Sequence, residues 1–197
     1  MRARLDVARA WQAANERPYF YAGAGKGAVP AAWKQAAWAE AVAATTGLHY
    51  ATVLLDLVKA FERIPHWFLV QQAATYGFNI VLLRLSVAAY KLQRAVGVEG
   101  VYSALLVAQR GITAGSVFAT IEMRIVMIEA LDRVVACCPC VRLTCYVDDV
   151  SLEMVGTTDR IGQRLPQATL VFTGHLEGAS LEFFSNQECR LRLGPGA

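Results

Sequence analysis

Apolar residues fall along the chain in two rhythms, one close to helical and one close to alternating. Leu5, Ala8 and Trp11 stand at helical spacing and predict a helix within residues 1–18. A loop follows at Ala22-Gly23-Ala24-Gly25-Lys26-Gly27. It lacks the Gly-x4-Gly-Lys-Ser/Thr order of a phosphate-binding loop. Pro30 then marks a helix start and Gly47 its stop. Between them residues 31–46 read as an alanine-rich helix, with Trp33 and Trp38 expected in the core rather than serving as stacking platforms. Residues 49–57 form a strong strand, Pro65 to Gly77 a second helix and residues 78–95 a third. Residues 96–102 predict a hairpin turning at Glu99-Gly100. A long helix follows over about 117–136, then a hairpin around Asp148-Asp149 and a helix near 159–176. Short strands near 181–184 and 189–193 complete the series. No repeat or interdomain linker interrupts it. From residue 48 onward the order fits an α+β fold, an antiparallel sheet with helices on one face.

The chain has 197 residues, 55% of them hydrophobic, which excludes global disorder. The net charge is only +3 and does not by itself indicate nucleic acid. The basic set is arginine-rich, and all four lysines (Lys26, Lys34, Lys59 and Lys91) lie in the first half. Five cysteines, three of them in Cys137-Cys138-Pro139-Cys140, have no second Cys or His cluster at zinc spacing. They read as reduced packing residues of an intracellular protein, nuclear or cytoplasmic. Met1-Arg2-Ala3-Arg4 leads into a polar amphipathic stretch rather than a secretion signal. The longest uncharged run, residues 64–83, is broken by Pro65, His66, Gln71, Gln72, Gly77 and Asn79, so no membrane partner is expected.

The chemistry concentrates at Tyr146-Val147-Asp148-Asp149, where two adjacent acids follow an apolar strand. Turn preference alone accounts for an Asp pair in a hairpin. Carboxylates at the edge of a core are also costly unless compensated. A hard divalent cation held by one or two carboxylates and substrate phosphates supplies that compensation. Asp56 ends the other strong strand, Ala51-Thr52-Val53-Leu54-Leu55. The three acids together suggest a two-metal phosphoryl-transfer site.

Three segments stand in order: Leu55-Asp56-Leu57-Val58-Lys59-Ala60-Phe61-Glu62-Arg63-Ile64-Pro65-His66, then Gln109-Arg110-Gly111-Ile112-Thr113-Ala114-Gly115-Ser116, then Tyr146-Val147-Asp148-Asp149. This series resembles motifs A, B and C of reverse transcriptases, especially those of non-LTR retrotransposons and group II introns. The resemblance implies a partial fingers region over 1–47. It implies a palm domain over 48–197, with a degenerate motif D beginning at Gly178-Ala179-Ser180-Leu181-Glu182. It further implies RNA-directed DNA polymerase activity on an RNA template, a DNA primer and deoxynucleoside triphosphates. Two Mg2+ ions, replaceable by Mn2+, would be held by Asp56, Asp148 and the Leu57 carbonyl, with Asp149 a supporting charge. Lys59 would meet triphosphate oxygens, although a solvated helix start explains it equally well. Phe61 would lie beneath the sugar and exclude a 2′-hydroxyl, its alternative being a core ring. Ala114 and Gly115 would back the nucleotide, and Tyr146 would floor the primer terminus. His66 reads as structural.

The sequence departs from this pattern in several places. Ala114 stands where the family has glutamine, and Gln109 is five residues too early. The motif D lysine is absent, since no lysine follows Lys91 and arginine is a poor proton donor. The family's basic fingertip is absent or truncated, and no thumb follows before Ala197, so poor processivity is expected unless a thumb or endonuclease segment belongs to a longer product. Two other readings keep the fold. One is an inactive palm that survives as a nucleic-acid- or partner-binding remnant. The other is an RNA-directed RNA polymerase.

Overall fold

The computed structural model describes residues 4–23, 25–45, 47–113, 115–181 and 189–192. In chain order the elements are α1 (Leu5–Ala14), α2 (Ala28–Ala43), β1 (His49–Leu55), α3 (Ala60–Arg63), α4 (His66–Thr75), α5 (Ile80–Tyr90), β2 (Gly97–Val98) and β3 (Val101–Tyr102). They continue with α6 (Ala119–Cys137), β4 (Arg142–Tyr146), β5 (Asp149–Gly156), α7 (Thr158–Glu177) and β6 (Cys189–Arg192). The class is α+β, with antiparallel pairing throughout both sheets. No described helix is long and apolar enough to cross a membrane. The chain divides into two compact units, one from residues 1–15 and 59–126, the other from 16–58 and 127–197.

In the first unit, Trp11 of α1 anchors the chain after α4. Its indole donates to the Tyr76 carbonyl at 2.7 Å and meets the Phe78 ring edge-on at 5.3 Å. Gly77 closes α4 with φ +64, a conformation that glycine adopts without penalty. Asn79 caps α5 by accepting from the Leu82 N–H at 3.0 Å. The Glu99-Gly100 turn has positive φ at both positions, as a two-residue I′ hairpin requires. The strap after it lies along α3 and the start of α4. Gly111 N–H donates to the Ile64 carbonyl at 2.8 Å, and Ile112 N–H donates to the Phe61 carbonyl at 2.7 Å. His66 Nε2 completes the tie at 2.9 Å from the Gly111 carbonyl, as expected of a structural histidine. Deeper in this unit Glu122 is fully buried and accepts from the Tyr90 hydroxyl at 2.6 Å. Burial pushes its carboxyl above the ordinary range, with the Tyr90 and Ser86 hydroxyls opposing.

The second unit holds a four-stranded sheet in the order β4-β5-β1-β6. Alternation gives the sheet two distinct faces. Ala51, Val53 and Leu55 of β1, with Val150, Leu152 and Met154 of β5, form an apolar and buried face. α7 packs on β5 and β1, and its buried stripe of Ile161, Leu165, Ala168, Phe172 and Leu176 matches that face. The other face carries Tyr50, Ser151, Glu153 and Arg142, and α2 lies over it. Trp38 stands edge-on to Tyr50 at 5.8 Å and 4.7 Å from the Arg142 guanidinium, while Ala39 and Val42 pack on Tyr50. Helices therefore cover both faces rather than one, because α2 crosses back onto the polar face.

Two further expectations change. Trp33 is 72% exposed, not core. The stripe of α2 that meets the sheet runs Ala31, Gln35, Trp38, Ala39 and Val42, and Trp33 falls on the far side of the helix. The expected strand near 181–184 falls mostly outside the described residues. The stretch expected as one helix over 78–95 is helical only at Ile80–Tyr90.

Candidate active site

Two strand pairings bring the acids together. β1 runs antiparallel to β5 with Leu55 opposite Val150, so Asp56, the next residue, leaves the sheet at the end where Asp149 begins β5. β4 and β5 form a tight hairpin in which Tyr146 pairs with Asp149, leaving Val147 and Asp148 as the turn. Residues 19–21 run beside β4, with Cys145 N–H donating to the Tyr19 carbonyl and Tyr21 N–H to the Cys145 carbonyl, both at 2.8 Å. Arg17 and Tyr19 hold that segment through Asp132, the Tyr19 hydroxyl donating at 2.6 Å.

The carboxyl of Asp149 is held above its ordinary range by partial burial, then by the negative charges of Asp148 and Asp56. The three acids thus share one electrostatic neighbourhood, although Asp56 lies far from the pair in sequence. A cavity of about 410 Å3 opens beside them. Asp56, Asp149, Tyr146, Leu54 and Ser151 line it from the sheet. Ala28, Ala31 and Ala32 line it from α2, where larger side chains would fill the space. Gln35 of α2 donates to the Ser151 hydroxyl of β5. Asp56, Tyr146 and Asp149 are exposed, and Asp148 is half-buried at the turn.

Val147 has φ +62, and Asp148 does not share the positive sign. This is the II′ pattern of a two-residue hairpin, which normally places glycine first. A β-branched residue there is strained. Val147→Gly should therefore raise the stability of the fold by about 1 kcal/mol, read from urea unfolding. A neutral or destabilising result would show that the turn is not strained.

The raised Asp149 carboxyl has a consequence for stability. The folded chain keeps this proton to higher pH than the unfolded chain does. The stabilisation is complete below the ordinary carboxylate range and is lost as pH rises through the folded value. Asp149→Asn removes that loss. In the absence of divalent ions its urea midpoint should match the wild type near pH 3.5 and exceed it at pH 7, with both pH values chosen to bracket the titration at roughly the ordinary carboxylate range. Equal midpoints at both pH values would contradict the shared-charge geometry.

The remaining sequence-predicted residues belong largely to the first unit. Lys59 is exposed, takes the left-handed conformation (φ +50, ψ +55) and caps α3. Phe61 is half-buried in α3, and Gly115 is exposed with φ +83. Ala114 lies outside the described residues. Leu57, in the second unit, is buried. Sequence reasoning missed Gln35, Ser151 and the small face of α2, whose only signal was alanine content. It also missed the packing of Lys26 and Lys34 around Tyr21, each ammonium 5.8 Å from the ring.

The donor set suits a hard cation, because it consists of carboxylates whose mutual repulsion a dication would relieve. Among the described residues no three His, Cys, Asp or Glu side chains are gathered closely enough to hold an ion by themselves. Any ion here would take one or two carboxylates and complete its shell from backbone, water or substrate. Cys137, Cys138 and Cys140 form no disulfide, and the Cys145 thiol donates to the Val147 carbonyl at 3.5 Å.

No protein-family model matches the chain. No curated protein matches it either. Solved structures do. The telomerase of Candida tropicalis, apo and truncated of its C-terminal domain, superposes with a TM-score of 0.68 at 10% identity, over 100% of this chain and 40% of that one. The fold is reverse-transcriptase-like. A second apo telomerase structure from Candida tropicalis gives 0.68 at 10% identity over 98% of this chain and 36% of that one. Telomerase from Candida albicans, in complex with a TWJ fragment of telomeric RNA, gives 0.65 at 11% identity over 100% and 36%. At these identities the likeness establishes the fold alone, and the chain spans 36–40% of the length of these proteins.

Proposed function

We propose that the chain is the palm, with part of the fingers, of an RNA-directed DNA polymerase, related to those of non-LTR retrotransposons and group II introns. The observation that carries this reading is the pairing of β1 with β5. It brings Asp56 and Asp149 to one open cavity, with Asp148 in the adjoining turn, in a reverse-transcriptase-like fold. Asp56 and Asp148, with the Leu57 carbonyl, hold the divalent ions, and Asp149 adds charge that draws them in. Mg2+ in that position would supply a lowered pKa for a primer 3′-hydroxyl and neutralise the leaving pyrophosphate. Tyr146 supports the primer end from the cavity wall. Phe61 selects deoxynucleotides, Lys59 meets the triphosphate, and Ala114-Gly115 backs the base. The partners are an RNA template, a DNA primer and deoxynucleoside triphosphates.

The test is primer extension on an RNA template with Mg2+, comparing wild type with Asp148→Ala. Extension by the wild type alone supports the reading, and equal failure of both withdraws it for this chain. Preference for ribonucleotides would instead favour an RNA-directed RNA polymerase. One observation favours a binding remnant: the acids are not drawn into a ready-made cage.

A further inference from the structure

A second cleft, of about 490 Å3, lies wholly within the first unit. The first turn of α4, with Pro65, His66 and Trp67, lines it at the positive end of the helix. Lys91, at the end of α5, and Arg110, on the strap, stand along its walls with Gln109. No acidic side chain lines it, and both cations are exposed. Trp67 is 59% exposed, so its ring is open to a ligand in the cleft. Its ring is braced edge-on by Phe68 at 5.6 Å, so it offers a fixed platform. Burial holds the His66 ring below the ordinary imidazole range, opposed by its bond to the Gly111 carbonyl and aided by the nearby Lys91 charge.

We propose that this cleft binds a single-stranded nucleic-acid segment, one base stacked on Trp67 and its flanking phosphates held by Lys91 and Arg110. The combination of an aromatic platform with two cations is what single-strand recognition uses. An acidic peptide would satisfy the cations and leave the indole without a role. The cleft shares no residue with the cavity at Asp56 and Asp149, so binding here needs neither metal nor catalysis and stands apart from the polymerase reading.

The experiment is fluorescence anisotropy with a labelled oligothymidylate of about 12 nucleotides, in EDTA, over a range of salt. The wild-type chain should bind. Trp67→Ala should weaken binding roughly tenfold with little change in salt dependence. Lys91→Ala with Arg110→Ala should weaken it at least as much and lower the slope of log K against log salt by about 1.4, at ~0.7 per phosphate contact. All three residues are exposed, so circular dichroism should be unchanged. Trp33→Ala, at an exposed indole outside the cleft, should bind as the wild type does. No binding by the wild type, variants indistinguishable from it in affinity and slope, or equal loss in Trp33→Ala would each overturn the proposal. A glutamate decapeptide that binds as tightly, indifferent to Trp67→Ala, would overturn it in favour of an acidic protein partner.

Discussion

Asp148→Asn should reduce Mg2+-dependent nucleotide addition by about a thousandfold, to background. The substitution is nearly isosteric, and asparagine suits a hairpin turn as well as aspartate does. The fold should therefore survive while the negative charge of the turn is reduced. Carboxylates that hold a dication contribute several kcal/mol of transition-state stabilisation, and about 4 kcal/mol corresponds to a thousandfold in rate. Asp56→Asn should match it, because that acid reaches the same place from β1. Asp149→Asn should cost less, about tenfold, if its role is to add field rather than to ligate. Binding offers a readout independent of turnover. Millimolar Mg2+ should raise the melting temperature of the wild type and leave that of Asp148→Asn unmoved. If all three variants extend a primer as the wild type does, the acids are ordinary turn residues.

Much of this site was legible from residue order because it depends on local signals. Apolar strands ending in aspartate, a two-residue hairpin and the spacing of glycines are short-range patterns, and the β4–β5 hairpin and β1 form where those patterns place them. The Glu99-Gly100 turn was legible for the same reason. What periodicity could not convey is which strand neighbours which. Asp56 meets Asp149 only because β5 inserts between β4 and β1. Nor could it convey that α2 returns to the polar face of the sheet. Trp33 illustrates the cost: an indole in an alanine-rich helix reads as core, yet the helix buries the stripe through Ala31, Gln35 and Trp38 and turns Trp33 to solvent. The short α3 was hidden too. Four residues are too few for a helical period, and α3 is set by its left-handed cap at Lys59 and by the strap bonded to Phe61 and Ile64.

That strap yields the largest stability effect expected. Gly111 has φ +97, a region that L side chains avoid, and an added Cβ would lie 2.9 Å from the backbone carbonyl oxygen of Glu62. A flexible side chain could move aside, but a carbonyl at the end of a short helix cannot move without disturbing the bonds around it. Those bonds are the Gly111 N–H to Ile64, the Ile112 N–H to Phe61 and the His66 ring to the Gly111 carbonyl. Gly111→Ala should therefore destabilise the chain by about 3 kcal/mol, the sum of backbone strain and weakened hydrogen bonds. The urea midpoint reports it directly. The loss should be specific to this position. Gly115 also has positive φ, but an added Cβ meets nothing within 4 Å, so Gly115→Ala should cost only the conformational part, about 1 kcal/mol. The difference between the two alanine variants measures how tightly the strap is held to α3. Similar losses at both would mean that strain alone, and not the close approach to Glu62, requires the glycine.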